Sequence, residues 1–396
     1  MKFLAYLLCY CIYPFSFLVP RSKKKWAFGS FRGAFDGNAK YLFASISDNA
    51  SDVDAAWLST NRSTVQMVKE MGLKAYSLFS PKGVWFALRS KFWFFNAYSS
   101  DIMFCLSGNA TLVNLWHGLP MRRIEFDIDT GPLSKRYQKR TLKERFFHPE
   151  VFKRPDYMVS ASRMYSEMFS RAFRIGIDCC LETGSPRNDF LICAESKRMD
   201  FVNRYEPQST QSLIAELKSG KYSRVYLYLP TWRDTNNDFL SKGFDLGAVD
   251  KVLRDNRSLL VFKPHANTKI QECLGNSLTN VKILTANTDV YPIMPYTDTL
   301  VTDYSSVLYD YLLMGGKSVV LYLFDYQEFI KERSFIWPFD EMVIGQRAYD
   351  FESLLKLMDG SNVVLDEEER KALLQKCWGD YQGNATQRLS FFFKQS

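Results

Sequence analysis

Thr299-Leu300-Val301-Thr302-Asp303-Tyr304-Ser305-Ser306 is the stretch that decides the fold. An apolar strand runs into a polar turn, residues 307–314 follow with helical spacing, Gly315-Gly316 stop that helix, and residues 318–324 return to an apolar strand. Strand, helix and strand in this order predict a parallel sheet covered by helices. The polar groups sit where the first strand ends, and in an open parallel sheet that edge is where ligands bind.

Working outward, the same device occurs twice more in this half. Residues 223–229 read as a strand ending in Pro230-Thr231-Trp232-Arg233-Asp234, and residues 259–262 as a strand ending in Lys263-Pro264-His265. The first half alternates in the same way. Residues 25–30 form a strand that ends in a Gly29-Ser30 turn, residues 31–38 a loop and residues 39–47 a helix. A strand over 54–58, a helix over 64–71 and a strand over 74–76 follow. The aromatic run 85–95 reads as a buried helix leading into a strand, with a membrane-facing aromatic surface as the alternative. Strands over 110–115 and 157–161 end the first in Trp116-His117-Gly118-Leu119-Pro120, and residues 177–182 run into Thr183-Gly184-Ser185-Pro186-Arg187-Asn188-Asp189. The expectation is an α/β chain of two facing Rossmann-like domains, residues 26–218 and 219–396, with a central cleft, behind an apolar membrane-associating segment at residues 1–25.

Composition sets outer bounds. With 396 residues the chain is long enough for two to three compact units, and 46% hydrophobic against 24% charged residues excludes extensive disorder. The formal net charge of +8 is concentrated. Residues 21–25 carry four basic groups and no acid, and residues 121–155 carry ten basic side chains against five acidic ones, which leaves the remainder nearly neutral. Such a distribution predicts local attraction to an anionic surface or substrate, and it excludes a protein that coats nucleic acid. The eight cysteines show no C-x-x-C spacing, which suits a reducing compartment better than a disulfide framework or a zinc site. Residues 3–19 are 17 uncharged residues interrupted by Pro14 and followed by Pro20, Arg21 and three lysines. The basic cluster comes after the apolar run, the reverse of a signal peptide, so the segment is expected to hold the chain at the anionic cytoplasmic face of a membrane. A buried first helix of the fold is the alternative.

Only three histidines are available, and two of them, His117 and His265, stand directly after predicted strands in opposite halves. Imidazole titrates near neutral pH, so it can take a proton from a hydroxyl or, as a cation, stabilise a phosphate. His148 lies in the basic stretch without such a context. Thr302, Asp303, Ser305 and Ser306 end a strand and open a helix, where free N–H groups, the helix dipole and hydroxyls form a phosphate cradle. Lys263 and Arg233 add positive charge at neighbouring strand ends. The set suits a diphosphate, while no Walker glycine pattern or G-x-G-x-x-G appears. No clustered carboxylates beyond Asp303 indicate a divalent metal, so no cofactor is expected.

Five segments in order resemble one family: Trp116-His117-Gly118, Gly184-Ser185-Pro186-Arg187-Asn188-Asp189, Pro230-Thr231-Trp232-Arg233, Lys263-Pro264-His265 and Thr302-Asp303-Tyr304-Ser305-Ser306. Over residues 26–390 the chain is similar to the CDP-glycerol glycerophosphotransferases of teichoic acid and capsule synthesis. The resemblance implies a GT-B fold, CDP-glycerol or a related CDP-polyol as donor, a lipid-linked glycerophosphate or glycan acceptor, and peripheral attachment to the cytoplasmic membrane face. It also implies that His117 is the base on the acceptor hydroxyl, that His265 stabilises the donor diphosphate, and that Arg233, Ser305 and Ser306 bind donor phosphates. Ser185 and Leu119 depart from the residues frequent in the family, which bears on the polyol or acceptor that fits. Other functions share parts of this pattern: a GT-B glycosyltransferase or a ribitol-phosphate transferase using another nucleotide-activated donor, and a noncatalytic membrane scaffold.

Overall fold

The computed structural model describes residues 2–131, 133–231, 244–264, 278–332, 334–360 and 364–396. Trp232, Arg233 and His265 lie outside the described residues. Thirteen strands are described: β1 (Ser22–Phe28), β2 (Asp54–Ser59), β3 (Ala75–Ser77), β4 (Ser90–Phe95), β5 (Thr111–Asn114), β6 (Tyr157–Ser160), β7 (Cys180–Glu182), β8 (Arg224–Tyr228), β9 (Ser258–Phe262), β10 (Val281–Ile283), β11 (Thr299–Thr302), β12 (Ser318–Tyr322) and β13 (Gln346–Ala348). They build two sheets, ordered β3-β2-β1-β4-β5-β6-β7 and β10-β9-β8-β11-β12-β13. Every pairing is parallel.

Both sheets follow one path. Each starts in the middle, winds to one edge, then crosses back and winds to the other, which is the Rossmann order and creates one switch point per sheet. These points lie between β1 and β4 and between β8 and β11. The central strands β9 and β11 are buried at every position because helices cover both faces, and this is why they read as unbroken apolar runs in the sequence. The helix Leu246–Asp255 lays Val249 and Leu253 on this core, and the Asp245 carboxylate caps it by accepting the Gly247 and Ala248 N–H groups. β10 and β13, three residues each at opposite edges, had no strand signal strong enough to predict them.

The chain divides into two compact units, one of Met1–Gly118, Ile124–Cys193 and Lys376–Ser396, the other of Leu119–Arg123 and Ala194–Gln375. The sequence reading drew a single line at 218/219. Instead, the helices Glu195–Tyr205 and Gln208–Leu217 accompany the second sheet, and the last helix, Ala385–Gln395, returns to the first. The physical reason for the return is aromatic: Phe393 packs edge-on against Trp26 and Phe94 and tilted against Phe92, on β1 and β4.

The apolar start of the chain forms the helix Lys2–Phe15, with Pro14 in its last turn. Among the described residues no helix is long and apolar enough to cross a membrane. Tyr13 stacks on Phe104 at 4.7 Å, Phe3 stacks on Phe146 at 5.3 Å, and Cys9 and Ile12 pack against the first core. Leu4, Leu8 and Phe15 are exposed, and so is much of Phe3 despite its stacking. Of the cations expected to flank this segment at a lipid surface, Lys23 and Lys24 are exposed and Arg21 and Lys25 half-buried. Arg21 donates to the carbonyls of Ala87, Ser90, Leu106 and Gly108, Lys23 bonds the Ser396 carbonyl, and Lys25 pairs with Asp54 as β1 begins. The aromatic run 85–95 is mainly core: the helix Pro81–Arg89 passes directly into β4, whose Phe92, Trp93, Phe94 and Phe95 are buried, while Trp85 is exposed.

Candidate functional site

At the first switch point the ends of β1, β4 and β5 meet. Gly29 follows β1 and allows close approach, since a Cβ there would come within 2.8 Å of the Asp101 carbonyl. Beyond β4, Asn96 ties the strand ends together. Its amide nitrogen donates to the Ser30 hydroxyl (2.8 Å) and the Asp36 carbonyl (3.1 Å), and its amide oxygen accepts the Ala39 N–H (3.0 Å). Gly37, at φ +62°, permits this fit, because a Cβ would lie 2.6 Å from the Asn96 side-chain nitrogen. The buried Asp101 carboxylate accepts the N–H groups of Asn96 (3.1 Å) and Ala97 (2.8 Å), and burial pushes it up to about 7 despite those bonds. Two residues beyond Asn96, the Tyr98 hydroxyl donates to the buried Glu125 carboxyl at 2.5 Å, and burial raises Glu125 to about 7 as well.

His117 stands after β5 on a turn whose backbone is unusual: Trp116 has φ +52° and Gly118 φ +145°. The imidazole Nδ1 lies 3.1 Å from the Asn96 carbonyl. A carbonyl can only accept, so Nδ1 carries the proton and Nε2 keeps its lone pair. The ring rests against Trp116, centroid to centroid 4.2 Å, yet the residue remains solvent-exposed. Protein crowded around the ring holds its pKa below the ordinary imidazole value; the Asn96 bond opposes that shift and the Arg187 guanidinium reinforces it. A desolvated but reachable imidazole with a free Nε2 is equipped to accept a proton near neutral pH.

Asn38, fully buried, joins this turn to the second motif. Its amide nitrogen donates to the carbonyls of Leu115 (3.1 Å) and Trp116 (2.9 Å), and its oxygen accepts the Arg187 N–H (3.2 Å). Pro186 opens the helix Pro186–Ile192, on which Arg187 and Asn188 are buried. Asp189 accepts the Tyr381 hydroxyl (2.5 Å) and the N–H groups of Ala385 (3.0 Å) and Thr386 (2.8 Å), so it anchors the C-terminal return.

At the second switch point the tie is a carboxylate. Asp303, beyond β11, accepts the Thr231 N–H at 2.9 Å, the Thr231 hydroxyl and the Tyr304 N–H at 2.6 Å. Thr302 is fully buried and donates its hydroxyl to the Leu229 carbonyl (2.7 Å). These two groups therefore lace the β8 and β11 loops together. Lys263 leaves β9 with its N–H on the Tyr228 carbonyl, and Ser305 and Ser306 are half-buried ahead of the helix Val307–Leu312. Among the described residues no group of three His, Cys, Asp or Glu side chains is set to hold a metal ion.

Over residues 11–392 the sequence matches the family described as CDP-Glycerol:Poly(glycerophosphate) glycerophosphotransferase. The chain belongs to that family. This glycerophosphotransferase is 27% identical over 378 residues to the teichoic acid poly(glycerol phosphate) polymerase of Bacillus spizizenii, covering 91% of this chain and 90% of the relative. It is also 27% identical over 382 residues to the teichoic acid glycerol-phosphate transferase of Staphylococcus aureus, with coverage of 91% and 90%. Its fold is similar to that of the wall teichoic acid polymerase TagF, with a TM-score of 0.73 at 24% identity, covering 95% of this chain and 89% of that one. Sequence reasoning about this glycerophosphotransferase missed Asn38, Asn96 and Asp101. Asn38 had a signal, its place next to Gly37 where a helix begins; Asn96 sits in a strand-end loop with partners remote in sequence, and Asp101 bonds the Asn96 and Ala97 N–H groups across the turn of that same loop.

Proposed function

We propose that this enzyme transfers glycerol phosphate from CDP-glycerol to a hydroxyl of a membrane-bound acceptor and releases CMP, in the synthesis of a teichoic-acid-like or capsular polymer. The family match over residues 11–392 carries the donor and the reaction class. The acceptor oxygen bonds to the glycerol-side phosphorus as the bridging P–O bond to CMP breaks, and CMP leaves with that electron pair. His117 Nε2 takes the hydroxyl proton, a role supported by its free lone pair and its exposure. Lys263, Ser305 and Ser306, with Arg233 and His265, would balance charge on the donor phosphates, a task of positioning and electrostatics. Thr302 and Asp303 serve instead by holding the loops, since their polar atoms are engaged within the protein. No metal or cofactor is required by this reading.

Attachment to the cytoplasmic membrane face belongs to the same reading. The exposed side of the helix Lys2–Phe15, with the exposed Leu142 on the helix Leu142–Phe147 that it contacts, supports a helix lying in the interface beside Lys143 and Arg145. Incubation of the purified chain with membranes and CDP-glycerol tests the whole proposal. Acceptor-dependent CMP release is expected, lost in His117→Ala and in His265→Ala. No CMP release from CDP-glycerol, with release of UDP or GDP when a UDP- or GDP-sugar is supplied in its place, would assign the nucleotide-sugar alternative.

A further inference from the structure

We infer that Asp101 orients and activates His117 through the Asn96–Ala97 peptide, as the carboxylate of a histidine–aspartate pair with one peptide unit interposed. Asp101 Oδ2 accepts the Ala97 N–H at 2.8 Å, and the carbonyl of that same peptide accepts His117 Nδ1–H at 3.1 Å. Hydrogen bonds in series polarise one another, by about 10–30% per bond. Negative charge on Asp101 therefore makes the Asn96 carbonyl a stronger acceptor, which holds the imidazole in one tautomer and makes Nε2 more basic.

The peptide is held from every side. Asn96 is tied at its N–H to Asp101 (3.1 Å) and through its side chain to Ser30 and Ala39. The Ala97 carbonyl accepts the Asn114 amide at 2.8 Å, and Asn114 in turn accepts the Trp116 N–H at 2.9 Å, so the turn bearing His117 is bound to the loop that carries the relay. Asp101 touches no substrate in this arrangement and is a positioning residue. The charged and titratable groups that face the pair are Asp36, which opposes charge on Asp101, Arg187 beside His117, and Glu125, bonded to Tyr98 on the same loop. Burial raises Asp101 to about 7, so the relay strengthens as the pH rises through that value and weakens below it.

The inference rests on His117 as the base, and its test separates the two. Protein labelled with 15N-histidine contains three imidazoles, and His117→Ala assigns the signal. His117 should be the Nδ1–H tautomer, with an Nε2 resonance that shows two inflections with pH, its own below 6.5 and a second near 7 from Asp101. Asp101→Asn keeps the shape and removes the charge. It should leave one inflection, lower kcat about tenfold at about pH 8 with KM for CDP-glycerol unchanged, and converge with the wild type as the pH falls below about 7. An Nε2–H tautomer, a variant titration that superimposes on the wild type, or an equal loss at every pH overturns the relay. Should Asp101→Asn fail to fold, a single inflection in the wild type overturns it equally. If the wild type released no CMP from CDP-glycerol, the reaction assignment would fall while the imidazole spectrum still decided the relay.

Discussion

The two switch points share a topology and differ in the chemistry that ties them. Between β1 and β4 the tie is a neutral amide, Asn96, bonded to Ser30 and Ala39; between β8 and β11 it is a carboxylate, Asp303, bonded to Thr231 and Tyr304. The neutral tie turns a backbone carbonyl toward His117 and leaves an imidazole that can accept a proton. The charged tie is filled by donors from its own loops, so its negative charge is compensated locally while Lys263, Ser305 and Ser306 border the same edge. On the proposed reading, one crevice moves a proton and the other receives negative charge. One fold can serve both because the strand-end residues, not the sheet, set the chemistry.

This contrast predicts that variants at the first switch point act on kcat and those at the second on donor KM. The largest effect is expected for His117→Ala, a loss of about a thousandfold in kcat measured by CMP release, with little change in thermal unfolding because the side chain is exposed. Retained activity in that variant would remove the first crevice from the chemistry. Asn38→Ala comes next. It leaves two carbonyls and the Arg187 N–H without their partner in a buried place, so urea unfolding should report a loss of about 2–3 kcal/mol. Asp303→Asn should raise KM for CDP-glycerol about tenfold and leave kcat nearly intact, since only the loops that border the donor edge loosen. An equal fall in kcat would erase the distinction between the crevices. The finest effect is in pH. Protonating Nε2 disables the base, and crowding around the ring disfavours the charged form, so kcat/KM should be lost completely only below 6.5. In Asp101→Asn, where the fall expected near 7 is absent and the imidazole alone governs the loss, a midpoint above 6.5 would mean that the ring is more solvated than its surroundings imply.

Much of the architecture was legible in the sequence because central parallel strands are buried on both faces and leave apolar runs bounded by polar turns. β4, β9 and β11 were readable on those terms, and so were the strand-end positions of His117, Lys263 and Ser305. The edge strands β10 and β13 were not, being three residues long and only partly buried. The surroundings of Arg21, in the cationic stretch after the apolar helix, were not legible for a different reason. Residue type predicts charge, but the carbonyls that Arg21 reaches at Ala87, Ser90, Leu106 and Gly108 come together only when β1 and β4 pair.

By itself the sequence determined the α/β alternation, the two parallel sheets, the family and the strand-end placement of the reactive side chains, because periodicity and turn chemistry are local properties. Tertiary structure alone decided where the polar side chains spend their hydrogen bonds. That Asn38 joins two motifs, that Asp189 holds the C-terminal return and that an Asp101-bound peptide faces His117 are consequences of contacts between residues remote in sequence or separated by a turn. A hydrogen bond depends on a few tenths of an ångström and on direction, and no local pattern of residue types carries that information.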